Sequence, residues 1–442
     1  MKKKIGIILE FGFHDLKKYI YSDFGKKLGE HFDIVWLAIQ KESDEFHRLF
    51  SETGYPIVYF NQSDFITPSK LEAINIPVRR AWMSKKKLGL FHNYRSIHFK
   101  KFKKTVLGSQ VIKEFFEIVT LKYVNKRYFN NKLKLKLQEC GINLIIGTGY
   151  SSSFSKSVFV TANKIGLSTY LLINNWKDLY INNFIPYKFI NTIFVWDASM
   201  KNDCLFHMPY LNKDKILITG NPVFDSLRKS KPKFSRFYYA KKYNIDIEAY
   251  WIYYTMMSPL SGFDEIKVVK LIGKEILKVY DPKKLVILLR KNPQHSKEDF
   301  TTEIFPDNIV LTEHFSYFDK ARDMHTQTPE GEQEWIDLLH HCSMNFSVPS
   351  TVTLEFLALN KPVLNICFGP DGKTDPRLKQ HFEAGYYRNI FNDKRVIKVE
   401  RIYDFLRALE SIKKVPTMES INEDKNFAAD IIIQRMLHKV IE

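Results

Sequence analysis

"NFSVPSTVTLEFLALNKPVLNICF" (345–368) is the stretch on which the fold turns. It reads as a short strand, a turn at Ser350 and Thr351, a nearly all-apolar helix, an Asn-Lys-Pro break and a second strand. Glu355 is out of place in it. It sits in the first turns of the helix, among Val352, Leu354, Phe356, Leu357 and Leu359. A capping box puts its Glu three residues after the cap; here the spacing is four from Thr351 and five from Ser350. Glu355 shares a face with Val352 and Leu359, where a carboxylate needs a partner. A helix start with two hydroxyls offers N–H groups and a positive dipole end, which suits a phosphate. Glu355 is then placed to accept hydrogen bonds from the two hydroxyls of an attached ribose. The plainer alternative makes Ser350 or Thr351 an N-cap and Glu355 a dipole complement.

Outward from this stretch, apolar runs alternate with helical stretches, the pattern of an α/β protein with parallel sheets. Strands are expected at 5–11, 33–39, 55–60, 143–148, 168–174, 192–197 and 215–220, with a helix over 15–31. The pattern restarts with strands at 249–256, 284–290 and 308–312, helices at 264–280 and 330–341, then a strand at 396–399 and a helix at 401–413. Residues 221–247, basic and carrying Pro222 and Pro232, read as a linker. The last segment, 423–441, reads as a helix that packs back across the first domain. The expected organisation is therefore two Rossmann-like domains facing a cleft. The first spans 1–220, the second 248–422, and the C-terminal helix 423–442. Ligands of such folds sit at the carboxyl ends of the strands.

A chain of 442 residues is long for one core, which also favours two domains. Lys and Arg total 67 against 49 Asp and Glu, a net charge of +18 that favours anionic partners, although A+T-rich coding explains part of it. Cys140, Cys204, Cys342 and Cys367 form no C-x-x-C pair and read as buried free thiols of a reducing compartment. The start MKKKIGIILEFGF is too short in its apolar run for a secretory signal and reads as a first strand. No window approaches the ~20 apolar residues of a spanning helix. A cytoplasmic protein is expected, meeting a membrane only at its inner face.

Residues 79–136 interrupt the rhythm. Arg79, Arg80, Lys85, Lys86 and Lys87 cluster with Trp82, and Arg95, Lys100, Lys101, Lys103 and Lys104 with Phe91, Tyr94, Phe99 and Phe102. An anionic membrane surface and single-stranded nucleic acid both want this mixture. A solvated helix pair with aromatic core contacts explains it equally well.

Four further places carry candidate chemistry. KLVILLRKNPQ (284–294) ends a strand on Arg290, Lys291 and Asn292, cations and an amide that suit a diphosphate or a sugar. KILITGNPVFDSL (215–227) puts Gly220 and Asn221 at the last strand of the first domain, where a tight turn is the alternative. ILEFGFHDLKKY (8–19) puts Glu10, His14 and Asp15 after the first strand; His14 can take a proton from an attacking hydroxyl, and a plain helix cap by Asp15 is the alternative. ARDMHTQTPEGEQEW (321–335) reads as a polar loop into a helix, with Arg322 and His325 placed for the donor base or phosphate and Thr328-Pro329 starting the helix. Walker, dinucleotide-binding, nucleophile-elbow and H-E-x-x-H motifs are absent from the sequence, which lowers kinase, dehydrogenase, hydrolase and zinc-protease readings.

Taken in order, "LLHHCSMNFSVPSTVTLEFLALNKPVLNI", "LLRKNPQ", "DKILITGNPVFDSL" and "NNWKDL" resemble the donor-site region of GT-B glycosyltransferases of bacterial surface polysaccharide synthesis. The third is also similar to a segment of CDP-glycerol glycerophosphotransferases and nucleotide-sugar 2-epimerases. The resemblance covers roughly residues 143–370. It implies a metal-independent, inverting transferase without a cofactor. A nucleotide-sugar donor would bind the second domain and a glycan or lipid-linked acceptor the first. It implies Ser350 and Thr351 on the donor phosphate, Glu355 on the ribose, and His14, Asp15 and Glu10, in that order, as candidate bases. Asn292 stands where relatives carry the His of a His-Pro pair, which weakens any role resting on imidazole there. Thr148-Gly149 and Asn174-Asn175-Trp176 replace segments characteristic of the epimerases, which ranks that activity below transfer. The basic insertion would serve as a membrane or acceptor platform, with nucleic acid not expected as a partner. A glycerophosphotransferase or polyol-phosphate polymerase is the rival of the same fold. A nucleic-acid-binding protein using the basic insertion is the rival of a different class.

Overall fold

The computed structural model describes residues 2–10, 12–40, 45–65, 70–86, 108–150, 152–180, 187–259, 263–292, 295, 300, 302–313, 316–319, 324–414 and 427–438. The chain divides into two compact units: Met1–Val223 with Lys425–Glu442, and Phe224–Asp424.

The first unit is built on seven parallel strands: β1 (Lys3–Ile8), β2 (Phe32–Ile39), β3 (Ile57–Phe60), β4 (Leu144–Gly147), β5 (Ser168–Leu172), β6 (Thr192–Val195) and β7 (Ile216–Ile218). Their order is β3-β2-β1-β4-β5-β6-β7. A parallel sheet covered on both faces buries both sides of each strand, so its strands read as continuous apolar runs. β4, Leu-Ile-Ile-Gly, is buried at every position. β1 pairs with β4 from Ile5↔Leu144 to Ile8↔Gly147, and with β2 on its other side. The strand order reverses between β1 and β4, where doubly wound sheets open a ligand crevice at the carboxyl ends. The C-terminal helix Ala428–His438 belongs to this unit. Ile432, Ile433 and Met436 join Ile5, Trp36 and Leu144 in one core, and Asp430 pairs with Lys27 at 2.5 Å.

The second unit repeats the plan with β8 (Tyr250–Thr255), β9 (Leu285–Arg290), β10 (Ile309–Leu311), a separate antiparallel pair β11 (Ser316–Asp319) and β12 (Met324–Gln327), β13 (Met344–Ser347), β14 (Val363–Ile366) and β15 (Val396–Val399). The main sheet runs β10-β9-β8-β13-β14-β15, parallel throughout. It reverses between β8 and β13, which pair through Tyr253↔Asn345. The opening stretch supplies β13, the helix Thr351–Ala358 and β14. Its Asn-Lys-Pro break is a helix stop. Asn360 takes φ 57°, its N–H meets Leu357 O at 3.0 Å, and Lys361 N–H meets Phe356 O at 2.9 Å. These are the paired bonds of a left-handed C-terminal cap. The Lys361 ammonium then bonds the carbonyls of Leu339 and Cys342 at 2.8 and 2.7 Å and that of His340, closing the preceding helix Pro329–His341.

Several expected elements differ. The helix expected over 15–31 is two, Phe13–Tyr19 and Phe24–His31. The break comes at Ser22, whose hydroxyl donates to Lys18 O and accepts from Phe24 N, a local side-chain competitor to helix. Residues 221–247 are not bare linker: they hold the helices Pro222–Lys229 and Arg236–Tyr243. The loop expected at 321–328 includes β12. Cys204, Cys342 and Cys367 are buried as expected, but Cys140 is half-buried.

The basic insertion also changes character. Arg79 and Trp82 lie inside the helix Lys70–Lys85, which pairs with Gln110–Arg127. Arg79 is 3% exposed and bonds Glu117 at 3.0 Å; Lys113 bonds the same carboxylate at 3.0 Å from the other side. Asn75 to Thr120 and Lys156 to Glu72 continue this buried polar seam. Arg79 and Trp82 therefore fix how two helices pair, the registry role for which buried ion pairs are best known. Lys87, Phe91, Tyr94, Arg95, Phe99, Lys100, Lys101, Phe102, Lys103 and Lys104 lie outside the described residues.

Candidate functional site

At the switch point of the second sheet, a buried polar ladder underlies the helix Thr351–Ala358. Asn345 Nδ2 donates to Tyr253 O at 2.7 Å and to Thr255 Oγ1 at 3.2 Å. Ser347 Oγ donates to Asn345 Oδ1 at 2.8 Å, and Asn365 Nδ2 reaches Thr353 Oγ1 at 3.2 Å. These bonds tie β8, β13, β14 and the first turn of the helix into one frame. Tyr387 donates its hydroxyl to Pro349 O and fixes the turn itself. The helix begins at Ser350, with φ −150° and ψ 177°, and no side chain caps it. Ser350 Oγ is buried without a hydrogen-bond partner among the described residues. Glu355 lies one turn on, 4% exposed.

After β8, Glu265 opens the helix Glu265–Leu277. Its carboxylate accepts Tyr254 Oη at 3.0 Å and Met257 N at 2.8 Å, and burial lifts its pKa to about 7. Arg290 ends β9, aligned with Thr255 of β8. Its guanidinium lies 4.0 Å over the Trp335 ring and donates to Gln327 Oε1 at 3.1 Å, so it is held rather than mobile. Asn292 follows, half-buried. Arg322 lies outside the described residues; His325 is on β12, and its side chain lies outside them too.

The first unit places its candidates at the equivalent switch point. Asp15 is fully buried: Oδ2 accepts Glu10 N at 2.7 Å and Oδ1 accepts Thr148 Oγ1 at 2.8 Å. It thus ties the loop after β1 to the end of β4. Glu10 Oε1 accepts Ser152 N at 2.8 Å, at the start of the helix Ser153–Lys164. A Cβ on Gly149 would stand 1.6 Å from Glu10 Oε2, so this carboxylate fills the space a side chain would take. Burial raises the Glu10 pKa above its ordinary value.

His14 is half-buried on the helix Phe13–Tyr19. Burial, then the ammonium groups of Lys18, Lys177 and Lys17, hold its pKa down to about 3, so its imidazole is neutral at physiological pH. Lys18, 3% exposed, donates to Asn174 Oδ1 at 2.9 Å, and burial lowers its pKa to about 8. Asp178 Oδ2 accepts the N–H groups of Asn174 and Asn175, and burial lifts its pKa to about 6. The "NNWKDL" segment is therefore part of this site. Lys18, Asp178, Glu265, Asn345 and Asn365 were not singled out from sequence; only the Asn174–Asp178 stretch carried a signal.

Gly220 and Asn221 have local explanations. Gly220 takes φ 86°, a conformation that favours glycine, and a Cβ there would meet Ala428 at 3.3 Å. Asn221 Oδ1 accepts Val223 N at 3.1 Å, capping the helix that follows. Among the described residues, no group of three His, Cys, Asp or Glu is arranged to hold a metal ion, and no helix is long and apolar enough to cross a membrane.

No protein-family model matches the sequence, and no curated protein sequence does. The fold does match solved structures. UDP-GlcNAc 2-epimerase from Methanocaldococcus jannaschii superposes with a TM-score of 0.54 at 12% identity, covering 99% of this chain and 100% of its own. S. aureus MnaA, solved with UDP, gives 0.52 at 11% identity over 99% and 97%. A glycosyltransferase from Rickettsia africae aligns at 0.49 and 12% identity over 100% and 93%. The two superpositions above 0.5 establish the fold alone: two Rossmann-like units of the GT-B fold class.

Proposed function

We propose that the protein is a glycosyltransferase that moves a sugar from a nucleotide-sugar donor to a glycan or lipid-linked acceptor, without a metal and with inversion. The observation that carries this reading is the helix start at Ser350. Its hydroxyl is buried, caps nothing and lies at the switch point of a doubly wound sheet. A donor phosphate takes that position, held by Ser350, Thr351 and the helix dipole. Glu355 accepts the ribose hydroxyls. Arg290, fixed by Trp335 and Gln327, offers positive charge near the leaving phosphate.

On the first unit, His14 is the first candidate to accept the proton of the acceptor hydroxyl as that oxygen attacks the anomeric carbon, but burial and the ammonium groups of Lys18, Lys177 and Lys17 disfavour its imidazolium and make it a weak base. Asp15 and Glu10 act as positioning residues, since both oxygens of Asp15 and one of Glu10 serve backbone N–H groups or Thr148. Gly220 and Asn221 shape a turn, with no donor contact needed to explain them.

Epimerisation of a UDP-sugar is the second reading. It is supported by the epimerase superposed above and weighed against by Thr148-Gly149 and Asn174-Asn175-Trp176 in the first unit. One experiment separates the classes. The purified protein is screened by thermal shift against UDP, GDP, CDP, CMP and dTDP; the fitting nucleotide raises Tm in proportion to the logarithm of its concentration over Kd. The matching nucleotide-sugars are then incubated and the products identified. Transfer releases the nucleotide with the sugar joined to an acceptor. Epimerisation returns a nucleotide-sugar of the same mass and altered stereochemistry. A phosphotransferase releases a nucleoside monophosphate and leaves the other phosphate in the acceptor product. If no nucleotide shifts Tm, the donor site is misassigned.

A further inference from the structure

Residues 226–245 hold seven Lys or Arg and no Asp or Glu. Within this run, Phe237 is 65% exposed, Tyr238 44% and Phe234 37%. Lys231, Lys233 and Lys241 stand exposed around them. We propose that this surface of the second unit docks on an anionic lipid bilayer.

The presentation is built rather than incidental. Asp337, fully buried, accepts Lys233 N at 2.8 Å and Phe234 N at 3.0 Å and also takes the Tyr239 hydroxyl at 3.0 Å. Ser235 caps the helix Arg236–Tyr243 by accepting Tyr238 N. The Arg236 guanidinium lies 3.9 Å over Trp251 and donates to Ala249 O at 2.6 Å and Ile247 O at 2.8 Å. A short helix and its entry loop are thus anchored from below while three aromatic side chains face outward.

Aromatic rings with lysines suit the bilayer interface, where rings sit at headgroup level and ammonium groups meet anionic lipid. A second copy meeting the same face would oppose its lysines to themselves. Single-stranded nucleic acid wants open ring faces for stacking, but Phe234 and Tyr238 stack on each other at 4.6 Å. The exposed apolar pair on the first unit's helix Gln110–Arg127, Val111 and Phe115, carries the carboxylate of Glu114 between its members and has no comparable charge among the described residues.

The test is cosedimentation of the full chain with vesicles of phosphatidylcholine, alone or mixed with phosphatidylglycerol, at rising salt. Wild type is expected to partition onto the mixed vesicles and to leave them as salt screens the charge. The double variant Phe237→Ser, Tyr238→Ser should bind at least about tenfold more weakly, the scale of losing aromatic burial. Lys231→Glu with Lys233→Glu should abolish the preference for phosphatidylglycerol. Val111→Ser with Phe115→Ser should bind as wild type. All these positions are exposed, and an unchanged Tm checks that each variant folds. The proposal is overturned if wild type ignores both vesicles, or if the aromatic variant partitions normally. It is also overturned if that variant instead loses self-association or single-stranded oligonucleotide binding while keeping vesicle binding.

Discussion

The loop after β4 and the loop after β13 occupy the same place in two sheets that share their strand order over six strands, yet they are closed by opposite means. After β4, Ser152 caps its helix through Ser155 N at 3.1 Å, and Glu10 brings a carboxylate onto Ser152 N. Gly149 leaves room for it. The positive end of that helix already has its anion, supplied by the chain. After β13, Ser350 caps nothing, and its hydroxyl is buried without a partner among the described residues. The frame beneath is firmer, with Asn345, Ser347, Asn365 and Thr353 bonded across three strands and the helix. One helix start is finished by folding. The other is built to the same precision and is completed, in the proposed function, by a phosphate from outside.

The largest effect expected from this contrast is at Glu355. If it accepts both ribose hydroxyls, Glu355→Ala removes two charge-assisted hydrogen bonds at about 1.5–3 kcal/mol each, weakening the nucleotide at least about a hundredfold. Isothermal titration with the nucleotide found by the screen reads this directly. Binding within about threefold of wild type would leave Glu355 as a structural carboxylate and remove the ribose assignment.

A smaller effect tests whether Glu10 occupies the first helix start as an anion in residence. Gly149→Ala drives a Cβ into that carboxylate and should cost about 1–3 kcal/mol, the usual range for overpacking. In a Glu10→Gly background, which also removes the Glu10 Cβ that would stand 2.9 Å away, the same change should cost little. The coupling across this double-mutant cycle, read from urea unfolding, should exceed about 1 kcal/mol. Simple additivity would mean that the crowding is relieved elsewhere, and that Glu10 is not what closes the junction.

Much of this contrast was legible in the sequence on one side only. The apolar runs gave the strands, since a doubly covered parallel sheet buries both faces. The Asn-Lys-Pro break marked the helix stop that Asn360 makes at φ 57°. At Ser350 two readings stayed open in the sequence, a plain N-cap and a phosphate site; the spacing to Glu355 excluded only a capping box, and the absent cap is seen in the structure. The closed junction of the first unit could not be read. Glu10 meets Ser152 across 142 positions, and Asp15 meets Thr148 across 133. Composition and period carry no information about such pairs. The same holds for Arg79, which joined a basic cluster in sequence and is a buried partner of Glu117 in space. The helix Arg236–Tyr243 went unseen because what orders its entry loop, Asp337, lies about a hundred residues on.

The smallest expected effect compares the two serines themselves. Ser152→Ala removes a working cap and should cost about 1 kcal/mol of stability, in the range of other N-cap losses. Ser350→Ala removes a hydroxyl that caps nothing, so its stability should change by less than about 0.5 kcal/mol. The same substitution should weaken the nucleotide severalfold, since the hydroxyl is then a phosphate ligand. The pair of variants is read twice, by denaturant unfolding without ligand and by titration with it. A crossed result is required: Ser152→Ala poorer in stability and unchanged in binding, Ser350→Ala the reverse. If Ser350→Ala destabilises the free protein as much as Ser152→Ala does, the two junctions are closed alike and Ser350 is a structural cap, not a donor ligand.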